Sequence, residues 1–463
     1  MYFRLAETIW REMGQYVSQL EIDSDKSELD DTSNAASPSF DGQTRDECLD
    51  NEISQLTRIK TKPNEHFSRI VPGKRKKFVS PVGMLAGREA NYSGRGRFTS
   101  ADRCHVASRY LPVKGPWLVD QMSSRAYVSQ FSTDGSLFVT GFQGSHIRIY
   151  NVNKGWKVQK NIVAKSLRWT ITDTSLSPDQ QYLVYSSMSP LVHIVDIGSA
   201  ATESLANVTD IHDGLDFSQY GESSYPFGIF CIKFSTDGRE LVAGTSDDAI
   251  YVYDLEANKL SLRISAHTVW DRRCFIARGK PAGVMLGHLE GITYIDSRGD
   301  GRYFISNGKD QCIKLWDVRK MSSNVTCDHI SRTYEWDYRW MDYPQQAKNV
   351  RHPNDQSVAT YEGHSVLRTL IRCYFSPESS VGQKYIYTGS NDGSVYIYDL
   401  VTGVVVAKLD HHMSAVRDCS WHPSYPMIVS SSWDGSVAKW EFPGSDEMPA
   451  TSRGERGEWR GYM

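Results

Sequence analysis

The chain has 463 residues, of which 40% are hydrophobic, 23% charged and 11% aromatic, and its formal net charge is −3. This composition is too apolar for a wholly disordered protein, and the near-neutral charge gives no sign of a nucleic-acid or membrane partner. The first residues lack the apolar core of a signal peptide and no stretch approaches a membrane-spanning length, so we expect a soluble protein of the nucleus and cytoplasm.

Residues 1–83 are predicted to form an N-terminal extension that is mostly disordered, with short helices. Apolar side chains recur at helical intervals over residues 1–20 and again over residues 46–60. Residues 21–50 are rich in Asp, Ser and Asn, which favours a disordered acidic linker. The second helix would present one apolar face, formed by Leu49, Ile53, Leu56 and Ile59.

A compact basic run, Lys74–Lys77, follows the second predicted helix. Such a run is a nuclear import signal or a phosphate contact in some proteins and only a solvated loop in others, and the sequence leaves both open. Residues 84–123 are then predicted to lead into the main domain.

The eight cysteines show no CxxC pair and no spacing typical of Cys/His metal ligands. Cys231 and Cys312 lie inside apolar, strand-like runs, where a free thiol acts as a small buried hydrophobe. We therefore expect reduced cysteines, no metal site and no cofactor.

Residues 124–443 contain a recurring unit. Each copy has an apolar strand, a turn such as Ser132-Thr133-Asp134-Gly135, a second strand, a polar turn that holds Asp, and a strand that ends in an aromatic residue and Asp. Six copies are recognisable at a spacing of about 40–45 residues, which is typical of the blades of a β-propeller. The predicted fold is all-β, with a partly disordered N-terminal extension.

Two copies carry a longer signature. Gly287-His288 is followed by Asp310 and Trp316-Asp317, and His412 is followed by Asp434 and Trp440; His and Trp are 28 residues apart in both. These copies resemble WD-repeat (WD40-type) propellers, in which His, a hydroxyl group, Asp and Trp form a buried hydrogen-bonded set. The resemblance implies structural rather than catalytic roles for His288, Asp310, His412, Asp434 and Trp440.

Two further copies depart from this spacing. The fifth has His364, Asp392 and Tyr398, with His and Tyr 34 residues apart, and an enlarged turn around residues 378–383 accounts for the extra residues. His364 and Asp392 are again assigned structural roles. The second copy, residues 171–197, is degenerate, because no aromatic residue precedes Asp196.

The repeat rhythm breaks between Asp254 and Asp317. These residues are 63 positions apart, and Trp270-Asp271-Arg272-Arg273 between them resembles the end of a blade. Only 17 positions separate Asp254 from Asp271, which is too few for four strands of the usual length. We interpret this as the remnant of a seventh blade whose middle has been lost, by splicing or through an error in the gene model; the alternative is a coincidental Trp-Asp in a long loop.

Residues 320–362 are predicted to be an insertion between blades. Trp336, Arg339 and Trp340 within it could anchor a partner, because exposed aromatic residues and Arg carry interface energy, or could pack the insertion against the ring. The tail, residues 444–463, is polar and predicted to be flexible.

Trp316-Asp317-Val318-Arg319 ends a run that resembles the box recognised by damaged-DNA-binding protein 1, the adaptor of cullin-4 ubiquitin ligases. Trp270-Asp271-Arg272-Arg273 repeats its ending. An Arg two residues after Asp lies at a blade edge, where its planar guanidinium can meet an acidic surface or form an intramolecular ion pair. The candidate adaptor-binding residues are Trp316, Asp317, Arg319, Asp271 and Arg273.

Three longer stretches, residues 296–303, 336–340 and 417–423, are similar to the WD-repeat protein 23 group, as is Ser430-Ser431-Ser432-Trp433-Asp434-Gly435. This group includes plant proteins named after a Lithospermum cDNA. The resemblance implies a substrate-recognition subunit of a cullin-4 ubiquitin ligase, with the adaptor and protein substrates as partners.

The alternative function is a non-catalytic interaction scaffold without a ligase role. An enzyme is not expected, because no Gly-x-Ser-x-Gly elbow and no phosphate-binding Walker loop occurs. We also expect no direct nucleic-acid partner, no membrane and no small-molecule substrate.

Overall fold

Four-stranded antiparallel sheets repeat along most of the chain. The computed structural model describes residues 51–63, 80–91, 94, 96–198, 214–218, 227–247, 249–265, 285–321, 336–348 and 350–443. Within these residues six sheets form the six blades of a β-propeller, which confirms the predicted fold class. The stretch around Trp270, predicted to be a remnant of a seventh blade, lies outside the described residues, as do residues 1–50, Lys74–Lys77 and residues 444–463.

The blades are numbered in chain order. Blade 1 contains β2 (Ala126–Phe131), β3 (Leu137–Phe142), β4 (His146–Asn151) and β5 (Lys157–Val163). Blade 2 contains β6 (Asp173–Leu176), β7 (Tyr182–Ser186), β8 (Leu191–Asp196) and β9 (Leu215–Asp216). Blade 3 contains β10 (Ile229–Phe234), β11 (Glu240–Thr245), β12 (Ala249–Asp254) and β13 (Lys259–Ser265).

Blade 4 contains β14 (Ile292–Ser297), β15 (Tyr303–Gly308), β16 (Cys312–Asp317) and β17 (Ala359–Glu362). Blade 5 contains β18 (Cys373–Phe375), β19 (Tyr385–Gly389), β20 (Ser394–Asp399) and β21 (Val405–Asp410). Blade 6 contains β22 (Val416–Trp421), β23 (Met427–Ser432), β24 (Ser436–Glu441) and a strand from much earlier in the chain, β1 (Lys114–Gln121).

Strand β1 ties the start of the propeller to its end. It pairs antiparallel with β24, so that Lys114 lies opposite Glu441 and Gln121 opposite Ser436. The ring therefore begins at residue 114, whereas the repeat pattern predicted a start at residue 124. The pattern did not indicate β1 because this strand is irregular in register and keeps Trp117 and Leu118 exposed, so it lacks the burial of a blade's inner strands.

Hydrophobic clusters connect most neighbouring blades. One joins blades 4, 5 and 6, one joins blades 6 and 1, one joins blades 1 and 2, and one joins blades 2 and 3. Each arises because alternate residues of a strand point to opposite faces of its sheet, and both faces of a blade meet a neighbour. The five cysteines that the structure describes are buried free thiols within or beside these cores, as the sequence indicated.

Two buried arginines span the central channel. Arg372, which precedes β18 of blade 5, donates to Asp418 of blade 6 at 3.2 Å and, across the channel, to Asp173 of blade 2 at 3.0 Å. Arg417 of blade 6 donates to the carbonyl oxygens of Thr172, at 3.2 Å, and Tyr127. Burial opposes the charge of Arg372, but Asp173 and Asp418 outweigh it and raise the pKa of Arg372.

Among the described residues, three helices precede the propeller and a fourth is inserted into blade 5. They are α1 (Asn51–Thr61), α2 (Pro81–Glu89), α3 (Ser100–Ala107) and α4 (Glu378–Val381). Ser80 caps α2 with Pro81 as its first residue, and Thr99 and Asp102 form a capping box at α3. None of the described helices is long and apolar enough to cross a membrane.

Candidate functional site

Blade 4 contains the hydrogen-bonded set that the WD-repeat resemblance implies. His288 Nδ1 lies 3.0 Å from both carboxylate oxygens of Asp310, and its Nε2 lies 2.6 Å from Ser306 Oγ. Trp316 donates from Nε1 to the same hydroxyl at 2.7 Å. All polar atoms of the set have partners, as buried groups require, so it fixes the loop that enters the blade.

Blade 6 contains a similar set. His412 Nε2 lies 2.7 Å from Ser430 Oγ, which also accepts from Trp440 Nε1 at 3.2 Å. His412 Nδ1 lies nearer to Ser436 Oγ, at 2.7 Å, than to Asp434, at 3.5 Å. Burial raises the pKa of Asp434, but hydrogen bonds from His412 and Ser436 outweigh burial and hold it well below its usual range.

The hydrogen bonds of the fifth copy, in blade 5, differ from those of the two sets above. His364 Nδ1 lies 3.0 Å from the Tyr398 hydroxyl, and its Nε2 lies 2.9 Å from Oδ1 of Asn307 in blade 4. Asp392 accepts instead from the Tyr396 hydroxyl at 2.8 Å and lies 3.3 Å from Lys408 Nζ. The reason is that Tyr398 replaces the usual Trp and brings its own hydroxyl to the imidazole. Burial lowers the pKa of His364 to about 4.

One cluster in blade 4 has the composition of a metal site. His288, Asp310 and Cys312 each offer a ligand atom within 4.8 Å of the others. Burial and then the charge of Asp310 raise the pKa of the Cys312 thiol well above its ordinary value, so the thiol is a hydrogen-bond donor here. The thiol donates to Asp310 at 3.2 Å. The arrangement therefore favours a hydrogen-bonded set over a metal centre.

The candidate adaptor-binding residues of blade 4 lie where β16 ends. Trp316 is buried and belongs to the set described above, so its side chain does not form a surface. Asp317 is also buried, and its carboxylate accepts from Arg302 at 2.8 Å and from Arg319 at 3.1 Å. The Arg319 side chain is 59% exposed. Of the three, Arg319 is the residue that a partner can reach.

Helix α1 adds an acidic residue to this edge. Glu52 lies 3.1 Å from Arg319 and contacts Arg302 more closely still. Burial disfavours the charge of Arg302, but Glu52 and Asp317 outweigh it and raise the pKa of Arg302. We call Glu52, Arg302, Asp317 and Arg319 the rim cluster. The intramolecular alternative for Arg319 is thus present, with partners in its own blade and in α1 rather than in the next blade.

Helix α1 is seated on blades 4 and 5. Ile53 is fully buried in the core of these blades, and Thr57 accepts from the buried Arg298 at 3.3 Å. Lys60 reaches Glu378 of α4 at 2.8 Å. Ile59, predicted to lie on the apolar face, is 66% exposed. The face of α1 that packs on the blades includes Thr57 and Lys60 instead, because these residues contact polar groups there.

The insertion after β16 separates its two tryptophans. Trp336 packs edge-on against Tyr343 and donates to the Met341 carbonyl at 3.3 Å. Trp340, by contrast, is 84% exposed. Arg339 is 61% exposed and is held by Asp337 at 2.6 Å. One tryptophan therefore packs the insertion, and the other is available to a partner.

Some site residues were not predicted, and others cannot be placed. Asp271 and Arg273 lie outside the described residues. Arg302 and Glu52 were missed, although Arg302 lies in a stretch that carried the family resemblance. Nothing in the sequence indicated that α1 docks on blade 4, because this docking depends on contacts between distant segments.

Comparison with known proteins gives the family. The model of the WD domain, G-beta repeat, matches residues 218–254, 279–317, 355–399 and 403–441. The LEC14B protein of Lithospermum erythrorhizon is 65% identical over 434 residues, covering 88% of this chain and 92% of the relative. The DDB1- and CUL4-associated factor 11 homolog of Caenorhabditis briggsae is 33% identical over 384 residues, covering 74% of this chain and 67% of the relative.

The chain belongs to the LEC14B and DDB1- and CUL4-associated factor 11 family of WD-repeat proteins. The LEC14B homolog of Prunus armeniaca is similarly related, at 64% identity over 431 residues, covering 88% of this chain and 90% of the relative. The predicted resemblance to the WD-repeat protein 23 group and its plant relatives is therefore confirmed. The nematode member of the LEC14B and factor 11 family is named for association with DDB1 and CUL4.

Proposed function

We propose that this chain is the substrate-recognition subunit of a cullin-4 ubiquitin ligase, binding the adaptor damaged-DNA-binding protein 1 at the rim cluster. The observation that carries the proposal is the exposed guanidinium of Arg319, oriented by the buried Asp317 at a blade edge that also seats α1. Arg is suited to such a contact because its planar fork binds carboxylates in a fixed geometry. Ubiquitin transfer itself would belong to the other subunits.

The rim cluster can bind an acidic surface without rearranging the blade. Arg302 lies beneath the surface and supports the Asp317 carboxylate, so that Arg319 is oriented while still 59% exposed. Glu52 forms ion pairs with both Arg302 and Arg319. A carboxylate of the adaptor would displace Glu52 from Arg319 and leave its pair with Arg302 intact. Helix α1 would then line the same interface.

Arg319→Ala tests the adaptor contact. We expect the dissociation constant for the purified adaptor to rise about 30-fold or more, the loss of about 2 kcal/mol typical of an interface hot spot. The melting temperature should change little, because exposed ion pairs contribute about 0–1 kcal/mol. Binding is measured by calorimetry with the full chain.

Arg339→Ala is the matched control, because Arg339 is held by an Asp two residues earlier and is 61% exposed, as Arg319 is 59% exposed. It should leave adaptor binding unchanged. Equal losses in both variants would contradict a specific contact at the rim cluster. A wild-type chain that does not bind the adaptor would favour the alternative function, an interaction scaffold without a ligase role.

Substrate capture is proposed to use the insertion. Trp340→Ala should reduce the capture of ubiquitinated proteins at least tenfold while leaving adaptor binding intact, because an exposed Trp is a common interface anchor. Quantitative proteomics of purified complexes measures both effects at once. Trp336→Ala is the comparison, because Trp336 packs within the insertion. Unchanged capture by Trp340→Ala would remove this residue from the substrate surface.

A further inference from the structure

The face of blade 3 that points away from blade 2 is less well covered than its counterparts. The third residue of the second strand has the same register position in each blade. It faces the following blade, because in blades 1, 2 and 6 it belongs to the cluster shared with that blade. In five blades this residue is at most 4% exposed, namely Val139, Val184, Ile305, Tyr387 and Val429. In blade 3 it is Val242, which is only half-buried, as are its cross-strand partner Val252 and the nearby Phe230.

The opposing face of blade 4 has a core of its own. Ile295, Phe304, Trp316 and Val318 form a cluster that is completed by Met285, Ile292 and Met321, not by residues of blade 3. Asp355 of the insertion also lies over this face, where it binds Lys314 at 2.5 Å. Among the described residues, no hydrophobic cluster joins blades 3 and 4, although clusters span every other junction.

Three junctions have a backbone tie between blades that is not found between blades 3 and 4 among the described residues. At these junctions, the last residue of a blade's first strand donates its N–H group to a side chain of the preceding blade. The pairs are Phe131 to Ser420, Phe234 to Ser175, and Phe375 to Asp296. Blade 3 has Lys233 at the acceptor position, and an ammonium group cannot accept. Lys233 turns back to Asp173 of blade 2 at 2.9 Å.

The alignment with LEC14B is longer than the part of this chain that it includes. The alignment with the Lithospermum protein runs over 434 positions but includes 88% of the 463 residues here, about 407, so about 27 positions of the relative have no counterpart. Adding 27 residues to the 17 between Asp254 and Asp271 gives about 44, which is one blade period.

We propose that the half-covered face of blade 3, with Phe230, Val242 and Val252, is the docking surface for a seventh blade whose sequence is incomplete in this chain and complete in its longer relatives. The inference is independent of the proposed ligase role. Each face of the junction would pack against the inserted blade, so neither face needs to complement the other.

Restoring the blade tests the proposal. Residues of the Lithospermum protein that align between residues 254 and 285 and have no counterpart in this chain are inserted there into the full chain, and a Gly/Ser insert of equal length is the control. We expect the native insert to raise the melting temperature by about 5 °C or more and to slow amide exchange of Glu240–Thr245 at least tenfold. An effect no greater than that of the Gly/Ser insert would overturn the proposal, as would an alignment gap elsewhere in the chain.

A second comparison needs no insertion. Val242→Asp in the unaltered chain should lower the melting temperature by only a few degrees, whereas Ile305→Asp, at the equivalent and fully buried position of blade 4, should abolish cooperative unfolding. Equal damage in the two variants would show that blade 3 is already covered, and the proposal would fail.

Discussion

Replacing Arg372 by Met is expected to lower the free energy of unfolding by about 3–5 kcal/mol, the usual loss when one partner of a buried ion pair is removed. Arg372 is 4% exposed and binds Asp173 and Asp418, both of which have fully buried side chains. In the variant, Asp173 keeps Lys233, but Asp418 loses its only ion pair among the described residues. Urea unfolding of the full chain, followed by tryptophan fluorescence, measures the loss.

The position of Arg372 also predicts how cooperatively the variant unfolds. Its guanidinium joins blade 5 to blade 2 across the channel, and these blades lie on opposite sides of the weakly packed junction between blades 3 and 4. The variant should therefore unfold less cooperatively, because the two halves of the ring lose a direct connection. Arg263→Met is the control: Arg263 binds Asp247 at the same distance, 3.0 Å, but is 42% exposed, so a loss below about 1 kcal/mol is expected. Equal losses would contradict a role for burial.

Local spacing made most of the fold predictable. The blade count followed from repeated Asp-containing turns and aromatic-Asp strand ends, because each blade forms its own antiparallel sheet from neighbouring segments. The sets around His288 and His412 were predictable for the same reason, since the residues of each set lie within one repeat. Where Tyr398 replaced Trp, the spacing still identified the blade but not the partners of His364.

Contacts between distant segments were not predictable in this way. Strand β1 pairs with a strand more than 300 residues later, and nothing in the pattern of Lys114–Gln121 names that partner. The Arg372–Asp173 pair spans 199 positions, and single charged residues near strand starts resemble ordinary surface charges in a sequence. Glu52 could be assigned to the rim cluster only once Ile53 had fixed the position of α1 on the blades.

Acidification from pH 6.5 to pH 4 is expected to destabilise the protein through His364. Burial holds the pKa of this imidazole at about 4 in the folded state, whereas an unfolded histidine has a pKa of about 6.5. Below pH 6.5 the unfolded chain therefore binds a proton that the folded chain does not, so stability falls with pH until the folded imidazole also titrates near pH 4. The difference between these two pKa values corresponds to about 3 kcal/mol.

His364→Gln should remove this contribution, so that its unfolding free energy, measured in urea at a series of pH values, falls less steeply between pH 6.5 and pH 4 than that of the wild type. Tyr398→Phe separates burial from hydrogen bonding. It removes the hydroxyl at Nδ1 but leaves His364 enclosed, so the pH dependence should persist if burial is the main cause. Parallel curves for wild type and His364→Gln would mean that the imidazole does not stay neutral in the folded protein. Its bonds to Tyr398 and Asn307 would then involve the protonated ring, with both nitrogens donating.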